Sequence, residues 1–296
     1  MKIVVAGGTG FIGEPLVRKL LPRGDVVVLS RDPSHVRAGR GVAWDGKSDG
    51  PWSREVADAD IVINLAGENI AGGRWTAERK RSLVASRLDA TRALVAAMQK
   101  SPDPQRTLIN GSAVGFYGDR GAETLDENAT TGSGFLADLV VQWENAARVA
   151  EPFARVVILR FGVVLAKGGG ALGKMELPFK LGGGGPIGSG EQWMSWIDRD
   201  DVIGMIEWAI DNREARGIYN ATAPEPVQNR EFVRTLGKAL HRPAIVPMPA
   251  IALRLALGQM ADETLLGGQR VLPARAASEG FRFAFPALAE ALRHIY

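Results

Sequence analysis

Residues 3 to 13 read Ile-Val-Val-Ala-Gly-Gly-Thr-Gly-Phe-Ile-Gly, an apolar run that passes directly into a glycine-rich turn. A short apolar run closed by glycine is typical of a buried parallel β-strand. Glycines at positions 7, 10 and 13 allow a tight turn, a close approach of backbone to a ligand and close packing of the next helix. The amides at the start of that helix, predicted over residues 13 to 21, favour a bound pyrophosphate. The sequence therefore predicts a dinucleotide site at the beginning of the chain.

Size and composition limit the class of protein. The chain has 296 residues, of which 46% are hydrophobic and 23% are charged, as is ordinary for globular proteins with one large or two moderate domains. It contains no cysteine, which excludes disulfides and thiolate chemistry and fits a reducing compartment. No segment approaches the roughly 20 apolar residues of a membrane span, and the N-terminal apolar run is too short for the core of a signal peptide. We therefore expect a cytoplasmic protein without a membrane partner.

The distribution of basic residues argues against nucleic-acid binding, and the positions of the histidines argue against a metal site. The formal net charge is +3, and the densest basic group, Arg79-Lys80-Arg81, lies in a helical pattern beside Glu78, as on a solvated helix face. Interleaved aromatic and basic residues of the kind that bind nucleic acid are missing. The three histidines, which stand at positions 35, 241 and 294, show no metal-ligand spacing. We expect neither a nucleic-acid partner nor a metal site.

Strand and helix patterns alternate through residues 1–161. Strands are predicted at 3–6, 26–29, 42–44, 61–66, 107–110 and 156–161, and longer helices at 77–99 and 135–149. This alternation predicts an α/β fold with a Rossmann-type, doubly wound parallel sheet and helices on both faces. Ligands of such sheets bind at the carboxyl ends of the strands.

The texture of the sequence changes after Phe161. Glycine-rich stretches at 168–170 and 182–185 and scattered prolines predict a smaller C-terminal lobe, residues 162–296, that covers the substrate. Residues 196–222 are expected to rejoin the Rossmann domain, residues 1–161, as a helix and a strand. The loop 182–190 has the glycines of a mobile lid, so we expect the substrate to lie under it.

Several motifs together carry a family resemblance. They are Gly-Gly-Thr-Gly-Phe-Ile-Gly at 7–13, Asn-Leu-Ala-Gly at 64–67, Gly-Ser-Ala-Val-Gly-Phe-Tyr-Gly at 111–118, Leu-Pro-Phe at 177–179 and Trp-Ile-Asp-Arg-Asp-Asp-Val at 196–202. The whole chain resembles the extended short-chain dehydrogenase/reductases, and within them an atypical branch of "epimerase family proteins" with a C-terminal domain of unknown function. The resemblance implies a nicotinamide dinucleotide cofactor and, since relatives are often dimers, a homodimer.

The residues after the second predicted strand address the choice of cofactor. In dinucleotide folds a carboxylate here accepts from the ribose 2′-hydroxyl, whereas a nearby arginine accommodates a 2′-phosphate. This strand ends at Ser30 and Arg31, and Arg31 offers a planar fork to phosphate. A surface arginine in a turn is the alternative, and we expect NADP(H) in preference to NAD(H).

The resemblance implies further cofactor-binding residues. They are Gly7, Thr9, Gly10, Phe11, Ile12, Gly13, Asp45, Leu65, Ala66, Gly67, Glu68 and Arg160. For Asp45 an exposed turn aspartate is an equal alternative, and Glu68 is also a candidate base.

The usual catalytic pair of the resembling group is missing. Its members place a tyrosine and a lysine four residues apart on one helix face, and the lysine lowers the pKa of the phenol for proton exchange. No tyrosine here is followed by lysine at that spacing. The surrounding pattern aligns the pair with Phe135 and Leu139, which with Trp143 form an apolar stripe that predicts a core-facing helix side.

Three other residues are the candidate catalytic groups. Ser112 occupies the expected loop, although the register alternatively places Ala113 there. Tyr117 either faces the cleft or packs within its loop. Arg87 takes the helix position that often holds an asparagine in this group, where it binds a phosphate or a substrate carboxylate, or else forms a surface salt bridge.

Three functional hypotheses follow from the sequence. The first is an NADP(H)-binding oxidoreductase or epimerase-like enzyme with a rearranged acid/base set and an unknown small-molecule substrate. The second is a non-catalytic NADPH-binding sensor or regulatory protein. The third is a scaffold with a vestigial cradle, which the intact glycine turn argues against.

Overall fold

The computed structural model describes residues 1–296 and contains thirteen strands, several of them only two or three residues long. The strands are β1 (Lys2–Ala6), β2 (Asp25–Ser30), β3 (Arg40–Ala43), β4 (Ile61–Asn64), β5 (Thr107–Ala113), β6 (Thr124–Leu125), β7 (Arg155–Phe161), β8 (Val163–Leu165), β9 (Trp193–Met194), β10 (Trp196–Asp198), β11 (Gly217–Ala221), β12 (Val227–Gln228) and β13 (Arg270–Val271). The longer ones form the scaffold on which the site is built.

Eleven α-helices connect or cover these strands, and none is both long enough and apolar enough to cross a membrane. They are α1 (Gly13–Leu20), α2 (Trp52–Ala57), α3 (Ala77–Gln99), α4 (Phe135–Arg148), α5 (Gly170–Lys180), α6 (Arg199–Asp211), α7 (Asn229–Ala239), α8 (Ala250–Leu257), α9 (Gln259–Ala261), α10 (Ala274–Ser278) and α11 (Leu288–Ile295). Short 3₁₀ turns occur at Leu21–Arg23, Pro33–His35 and Val114–Tyr117, and a π-helical turn at Asp262–Leu266.

The central sheet has seven strands in the order β11-β7-β5-β4-β1-β2-β3, and every neighbouring pair is parallel. This confirms the predicted Rossmann-type, doubly wound architecture. The strand order reverses between β1 and β4, where Ala6 lies opposite Asn64. The carboxyl ends of these two strands therefore open the crevice in which such sheets bind ligands.

Alternate residues of β1 enter two different cores because successive side chains of a strand point to opposite faces. Ile3 and Val5 belong to a core with residues of α1 and α6, whereas Val4 and Ala6 belong to one with residues of α2 and α3. All four are fully buried. Burial of each branched side chain stabilises the fold by roughly 1.5–3 kcal/mol.

Residues 196–222 return from the C-terminal part of the chain to the sheet. Helix α6 contributes Val202 and Met205 to one of the sheet cores, and β11 pairs with β7 at the sheet edge. Trp196, at the start of this segment, belongs to a separate core with Phe232 of α7 and Leu292 of α11.

The C-terminal segment is attached to the Rossmann part through carboxylates at helix starts. Glu263 accepts from the backbone amides of Phe135 and Leu136 at 3.1 and 2.9 Å, at the beginning of α4. Asp201, near the beginning of α6, accepts from the amides of Ala284 and Phe285 at 2.7 and 3.0 Å. Glu263 thus satisfies free amides at a helix start, and Asp201 satisfies backbone amides of the C-terminal segment.

Candidate cofactor cleft and its two cavities

The glycine turn after β1 is held by its own backbone. The amide of Gly10 donates to the carbonyl of Gly7 at 3.0 Å, and the amide of Glu14 donates to the carbonyl of Gly10 at 3.0 Å. Gly7 has a φ of +80° and a Cβ there would lie 2.7 Å from the carbonyl of Leu65. A Cβ on Gly13 would lie 2.1 Å from the Gly7 oxygen. Only glycine fits these two positions, so the backbone of the turn stays bare toward the crevice.

Two cavities flank this turn. The first, of about 630 Å³, extends from the turn past the carboxyl ends of β2 and β3, and we call it the polar cavity. Its lining includes seven ionisable side chains, those of Arg31, Asp32, His35, Asp45, Lys47, Glu68 and Asp89. It also includes ten of the predicted cofactor-binding residues, namely Gly7, Thr9, Gly10, Ser30, Arg31, Asp45, Leu65, Ala66, Gly67 and Glu68.

Arg31 is available for a ligand in the polar cavity, whereas the carboxylate beside it is not. The Arg31 side chain is exposed, and no hydrogen bond or ion pair within the protein involves it. Asp32 accepts from Ser34 and lies 2.8 Å from the Nδ1 atom of His35. The Ser34 hydrogen bonds, more than His35, lower the pKa of Asp32 below its usual value. Asp32 therefore has both oxygens engaged within its own turn.

Asp45 combines the two roles that the sequence left open. It lines the polar cavity, and its Oδ1 atom accepts from the amides of Lys47 and Ser48 at 2.9 and 2.8 Å. These hydrogen bonds lower the pKa of Asp45 to about 2. Its second oxygen has no protein partner, so the exposed turn aspartate still presents one acceptor to the cavity.

The second cavity, of about 580 Å³, lies beyond the glycine turn beside β5 and α4, and we call it the apolar cavity. Phe11, Ile12 and Gly13 line it on one side, and α4 provides Leu136, Leu139, Val140 and Trp143 on the other. Its polar side chains are Asn69, Arg87 and Ser112. Arg87 is the only charged side chain in this lining.

The cavities are two ends of one cleft because the same residues border both. Gly7, Gly10, Leu65, Ala66 and Gly67 line the polar and the apolar cavity alike. They come from the turns that follow β1 and β4 at the switch point. An extended ligand can therefore lie across the glycine turn with one end in each cavity.

The two helix positions aligned with the catalytic tyrosine and lysine are apolar in structure as well as in sequence. Leu139 is 2% exposed and faces the apolar cavity. Phe135 packs edge-on against Trp75, with their ring centroids 5.1 Å apart. Neither position holds a group that can transfer a proton.

Ser112 lies at the cleft but its hydroxyl points into the protein. The hydroxyl donates to Glu144 at 2.6 Å, and Ser112 is 2% exposed. Glu144 also accepts from Arg160 through two guanidinium nitrogens at 2.7 and 2.8 Å. Ser112 and Arg160 stand opposite each other on β5 and β7, so both reach the same face of the sheet, where α4 supplies Glu144.

The structure corrects two of the predicted site residues. Arg160 was expected to bind the cofactor, yet it is 1% exposed, lines neither cavity and forms the buried ion pair with Glu144. Tyr117 was a catalytic candidate, yet it is fully buried and also lines neither cavity. Its hydroxyl accepts from Arg160 at 2.9 Å and lies 2.8 Å from Asn220 Oδ1. Tyr117 therefore packs inside the protein, which is the alternative that the sequence left open.

Glu68 and Arg87 lie together at the end of β4 in different roles. The Glu68 carboxylate pairs with Arg79 and accepts from the Ser82 hydroxyl at 2.7 Å, so no oxygen is left to act as a base. The Glu68 carbonyl accepts from Arg87 at 2.9 Å, and the Leu83 carbonyl accepts from Arg87 at 3.1 Å. Arg87 has no ion pair, which excludes the surface salt bridge.

The glycine-rich loop expected to cover the substrate lies elsewhere. Residues 182–190 line neither cavity. They run beside residues 246–248, where the Val246 amide donates to Gly184 and the Met248 amide to Pro186. The only residue of the C-terminal lobe beyond Gly162 that borders the apolar cavity is Gly170. The mobile lid over the substrate stays a prediction, and the glycine that borders the cavity in this structure is Gly170.

Comparison with known proteins identifies the family. Residues 3–222 match the model described as "NAD dependent epimerase/dehydratase family". The chain belongs to this family. Residues 248–295 match a second model, "Domain of unknown function (DUF1731)". These matches confirm the resemblance to the extended short-chain dehydrogenase/reductases and to the branch with a C-terminal domain of unknown function.

Relatives within the epimerase/dehydratase family match the whole chain. Epimerase family protein SDR39U1 of Bos taurus is 39% identical over 300 residues, covering 100% of this chain and 99% of the relative. Epimerase family protein YfhF of Bacillus subtilis is 39% identical over 300 residues, with 100% and 98% covered. The crystal structure of human epimerase family protein SDR39U1 (isoform 2) with NADPH has a TM-score of 0.90 at 38% identity, with 100% and 99% covered.

A more distant solved structure shares the fold alone. The UDP-glucose 4-epimerase of Thermus thermophilus, solved with NAD, has a TM-score of 0.78 at 19% identity, with 100% and 97% covered. The likeness at this identity extends to the fold only, so the apolar cavity of this chain has to be interpreted from its own residues.

Sequence reasoning missed several residues that shape the cleft. His35 and Lys47 line the polar cavity, and Asn69 lines the apolar one. Each follows a strand of the sheet closely in the sequence, which is the signal that could have found them. Glu144 was missed as well, although a single glutamate on the apolar side of a helix predicts a buried partner, here Arg160.

A further group of polar side chains lies away from the cleft. Ligand-type atoms of Asp198, Asp200 and His294 lie within 4.8 Å of one another. His294 contacts Asp200 at 3.2 Å and so attaches α11 to the beginning of α6. Burial raises the pKa of Asp198 to about 6. Sequence spacing does not predict this group, because His294 lies 94 residues after Asp200.

Proposed function

We propose that this chain binds NADP(H) with the adenosine 2′-phosphate in the polar cavity and the nicotinamide in the apolar cavity. The observation that carries the proposal is the continuity of the two cavities across the glycine turn, through Gly7, Gly10 and Gly67. The human relative SDR39U1, crystallised with NADPH, supports the same cofactor for this chain.

The residues of the polar cavity fit a 2′-phosphate. Arg31 has all its guanidinium donors free, and His35 and Lys47 line the same space. Ser30 is the last residue of β2, and its hydroxyl donates to the Asp32 carbonyl at 2.9 Å. Asp32, the carboxylate next to the end of β2, is bonded to His35 and Ser34, so it is not free to accept from a ribose 2′-hydroxyl, as the carboxylate of NAD-specific sites does.

The glycine turn fits a pyrophosphate. A Cβ at Gly7 or Gly13 would collide with backbone within 2.7 or 2.1 Å, so the bare turn lets phosphate oxygens approach the amides. Helix α1 starts at Gly13, and the positive end of its dipole favours negative charge.

For the reaction, we propose an oxidoreductase or epimerase-like enzyme whose small-molecule substrate lies in the apolar cavity. When bound, the cofactor supplies or accepts the hydride. Leu136, Leu139 and Trp143 keep water away from that space. The hydroxyl proton of Ser112 is directed to Glu144 and away from the cavity. Asn69 and Arg87 are the side chains that remain to orient the substrate.

A non-catalytic NADPH sensor is the second candidate function. The observation that favours it is the apolar pair Phe135 and Leu139 at the positions of the acid/base groups. Helix α4, which lines the apolar cavity, is bonded at its start to Glu263 of the C-terminal segment. Cofactor occupancy therefore has a direct contact through which to act on that segment.

Turnover separates the two candidates. The protein, loaded with NADPH, is mixed with a panel of aldehydes, ketones, enones and quinones, and the absorbance of NADPH at 340 nm is followed. We expect at least one compound to raise the oxidation rate tenfold or more over the cofactor-only background. The control is Gly13→Ala, in which the cradle is blocked and this stimulation should disappear.

Tight NADPH binding with no stimulated oxidation across the panel would contradict the enzyme. The sensor would then require slower or faster hydrogen exchange in residues 248–295 on addition of NADPH. Absence of NADPH binding would contradict both candidates.

A further inference from the structure

Arg87 is the one charged group in the apolar cavity, and it lacks an anionic partner. It projects from the middle of α3, is half-buried and lines the cavity beside Gly67. The nearest carboxylate, that of Glu68, is occupied by Arg79 and Ser82. Burial lowers the pKa of Arg87 to about 10, which leaves the guanidinium charged at neutral pH.

The guanidinium of Arg87 is not saturated with hydrogen bonds. It has five N–H donors, of which one reaches the Leu83 carbonyl and one the Glu68 carbonyl. Three donors therefore have no partner in the protein. A cation removed from bulk water without a counter-ion is costly, so an anion that enters the cavity gains both charge and hydrogen-bond complementarity.

Two buried arginines of the same protein have more partners than the half-buried Arg87. Arg106 makes four hydrogen bonds to backbone carbonyls, and Arg160 has two to Glu144 and one to Tyr117. These two hold the fold together and line neither cleft cavity. Arg87 alone combines burial, free donors and access to the cleft.

The surroundings of Arg87 also fix its orientation. Its guanidinium carbon lies 5.3 Å from the centroid of the Trp143 ring, within range of a cation–π interaction. A Cβ on Gly67 would lie 3.2 Å from the Arg87 side chain, so glycine at this position leaves room for it. The Arg87 side chain therefore lies between the Trp143 ring and the backbone of Gly67, which restricts its orientation in the cavity.

We propose that Arg87 binds the carboxylate of a small and otherwise apolar substrate in the apolar cavity. One guanidinium balances one negative charge, and its parallel donors match the two oxygens of a carboxylate. The rest of the lining is largely apolar, so the remainder of the ligand is expected to be hydrocarbon or aromatic. A phosphate dianion would leave charge uncompensated there. The inference rests on the proposed function in that it assigns the apolar cavity to the substrate.

The test compares matched acids and esters. Benzoate, cinnamate and hexanoate and their methyl esters are titrated calorimetrically into the protein with and without NADPH. We expect at least one carboxylate to bind tenfold or more tightly than its ester. In Arg87→Met the ratio should fall to about one, and in Arg87→Lys, which keeps the charge but not the fork, it should be intermediate. Arg92→Met, an exposed arginine on the same helix, is the control and should match the unmodified protein.

NADPH affinity is measured separately in each variant and should stay within threefold. Equal binding of every acid and ester would overturn the inference, and so would tenfold tighter binding of phenyl phosphate than of benzoate. A tenfold loss of NADPH affinity in Arg87→Met, with the acid–ester ratio unchanged, would assign Arg87 to the cofactor instead. A preserved ratio in protein that does not bind NADPH would contradict the proposed function and not this inference.

Discussion

The polar and apolar cavities have similar volumes, about 630 and 580 Å³, but opposite chemistry. Seven ionisable side chains line the first and one lines the second. Fixed charges at the polar end suit a group of the cofactor that takes no part in the reaction, such as a phosphate. The apolar end contains no Tyr-Lys pair, and most of its walls are hydrocarbon.

Under the proposed function, cofactor binding and reactivity depend on different ends of the cleft. The polar cavity is lined by the segments that follow β1, β2, β3 and β4 and by part of α3. The apolar cavity shares the glycine turn and the segment after β4, and adds residues of β5 and α4 that are far apart in the sequence. A family can therefore keep the first end while it replaces the groups of the second.

The largest effect is expected behind the apolar cavity, where Arg160 neutralises Glu144. Arg160→Met leaves the buried Glu144 carboxylate without a cation and with only the Ser112 hydroxyl as a donor, so we expect a loss of about 3–5 kcal/mol in the free energy of unfolding. Urea unfolding measures it. Arg254→Met, which breaks the exposed pair with Asp262, should cost less than about 1 kcal/mol.

The Arg160→Met variant also tests whether Arg160 stabilises the fold without contributing to the cofactor cleft. Because Arg160 lines neither cavity, folded Arg160→Met should bind NADPH within threefold of the unmodified protein. A tenfold loss of NADPH affinity would return Arg160 to the cofactor site. A stability loss below about 1 kcal/mol would show that the ion pair does not hold this face of the sheet.

A smaller effect is expected at the turn between the cavities. A Cβ at Gly13 would lie 2.1 Å from the Gly7 oxygen, so Gly13→Ala must displace the turn. We expect NADPH affinity to fall about 100-fold, or about 2.8 kcal/mol, as measured by the change in NADPH fluorescence on binding.

Gly173→Ala is the matched control for that change. Its Cβ would approach no atom closer than 3.5 Å, and it lies inside α5, where alanine is favoured over glycine by roughly 0.5–1 kcal/mol. NADPH affinity should not change in this variant. Equal affinities of Gly13→Ala and Gly173→Ala would show that the turn does not form the cradle.

Much of the fold was predictable because its signals are local. The apolar runs at 3–6, 26–29 and 156–161 each lie within a strand of the sheet, and the predicted helix over residues 77–99 is α3. Glycine at 7, 10 and 13 follows from the backbone contacts of one turn. The six-residue helix α2 was not predicted, because Trp52 and Val56 are too few to set a helical period.

The apolar end was less predictable because its contacts are long-range. Arg160 ends in an ion pair with Glu144, and Tyr117 reaches Asn220, 103 residues away. Position relative to a strand end cannot distinguish these inward side chains from cleft residues. The same limit applies to the loop 182–190, whose hydrogen bonds with residues 246–248 join segments about 60 residues apart.

The central claim is that one cleft binds NADP(H) through charges at its polar end, and the most direct test compares NADPH with NADH. We expect the 2′-phosphate to gain charge-assisted hydrogen bonds from Arg31, so NADPH should bind roughly 10–100-fold more tightly than NADH at low salt. Arg31→Ala should bring the two dissociation constants within about threefold, whereas Arg54→Ala, on an exposed face outside the cleft, should preserve the difference. Equal binding of NADPH and NADH by the unmodified protein, or an unchanged ratio in Arg31→Ala, would contradict the account.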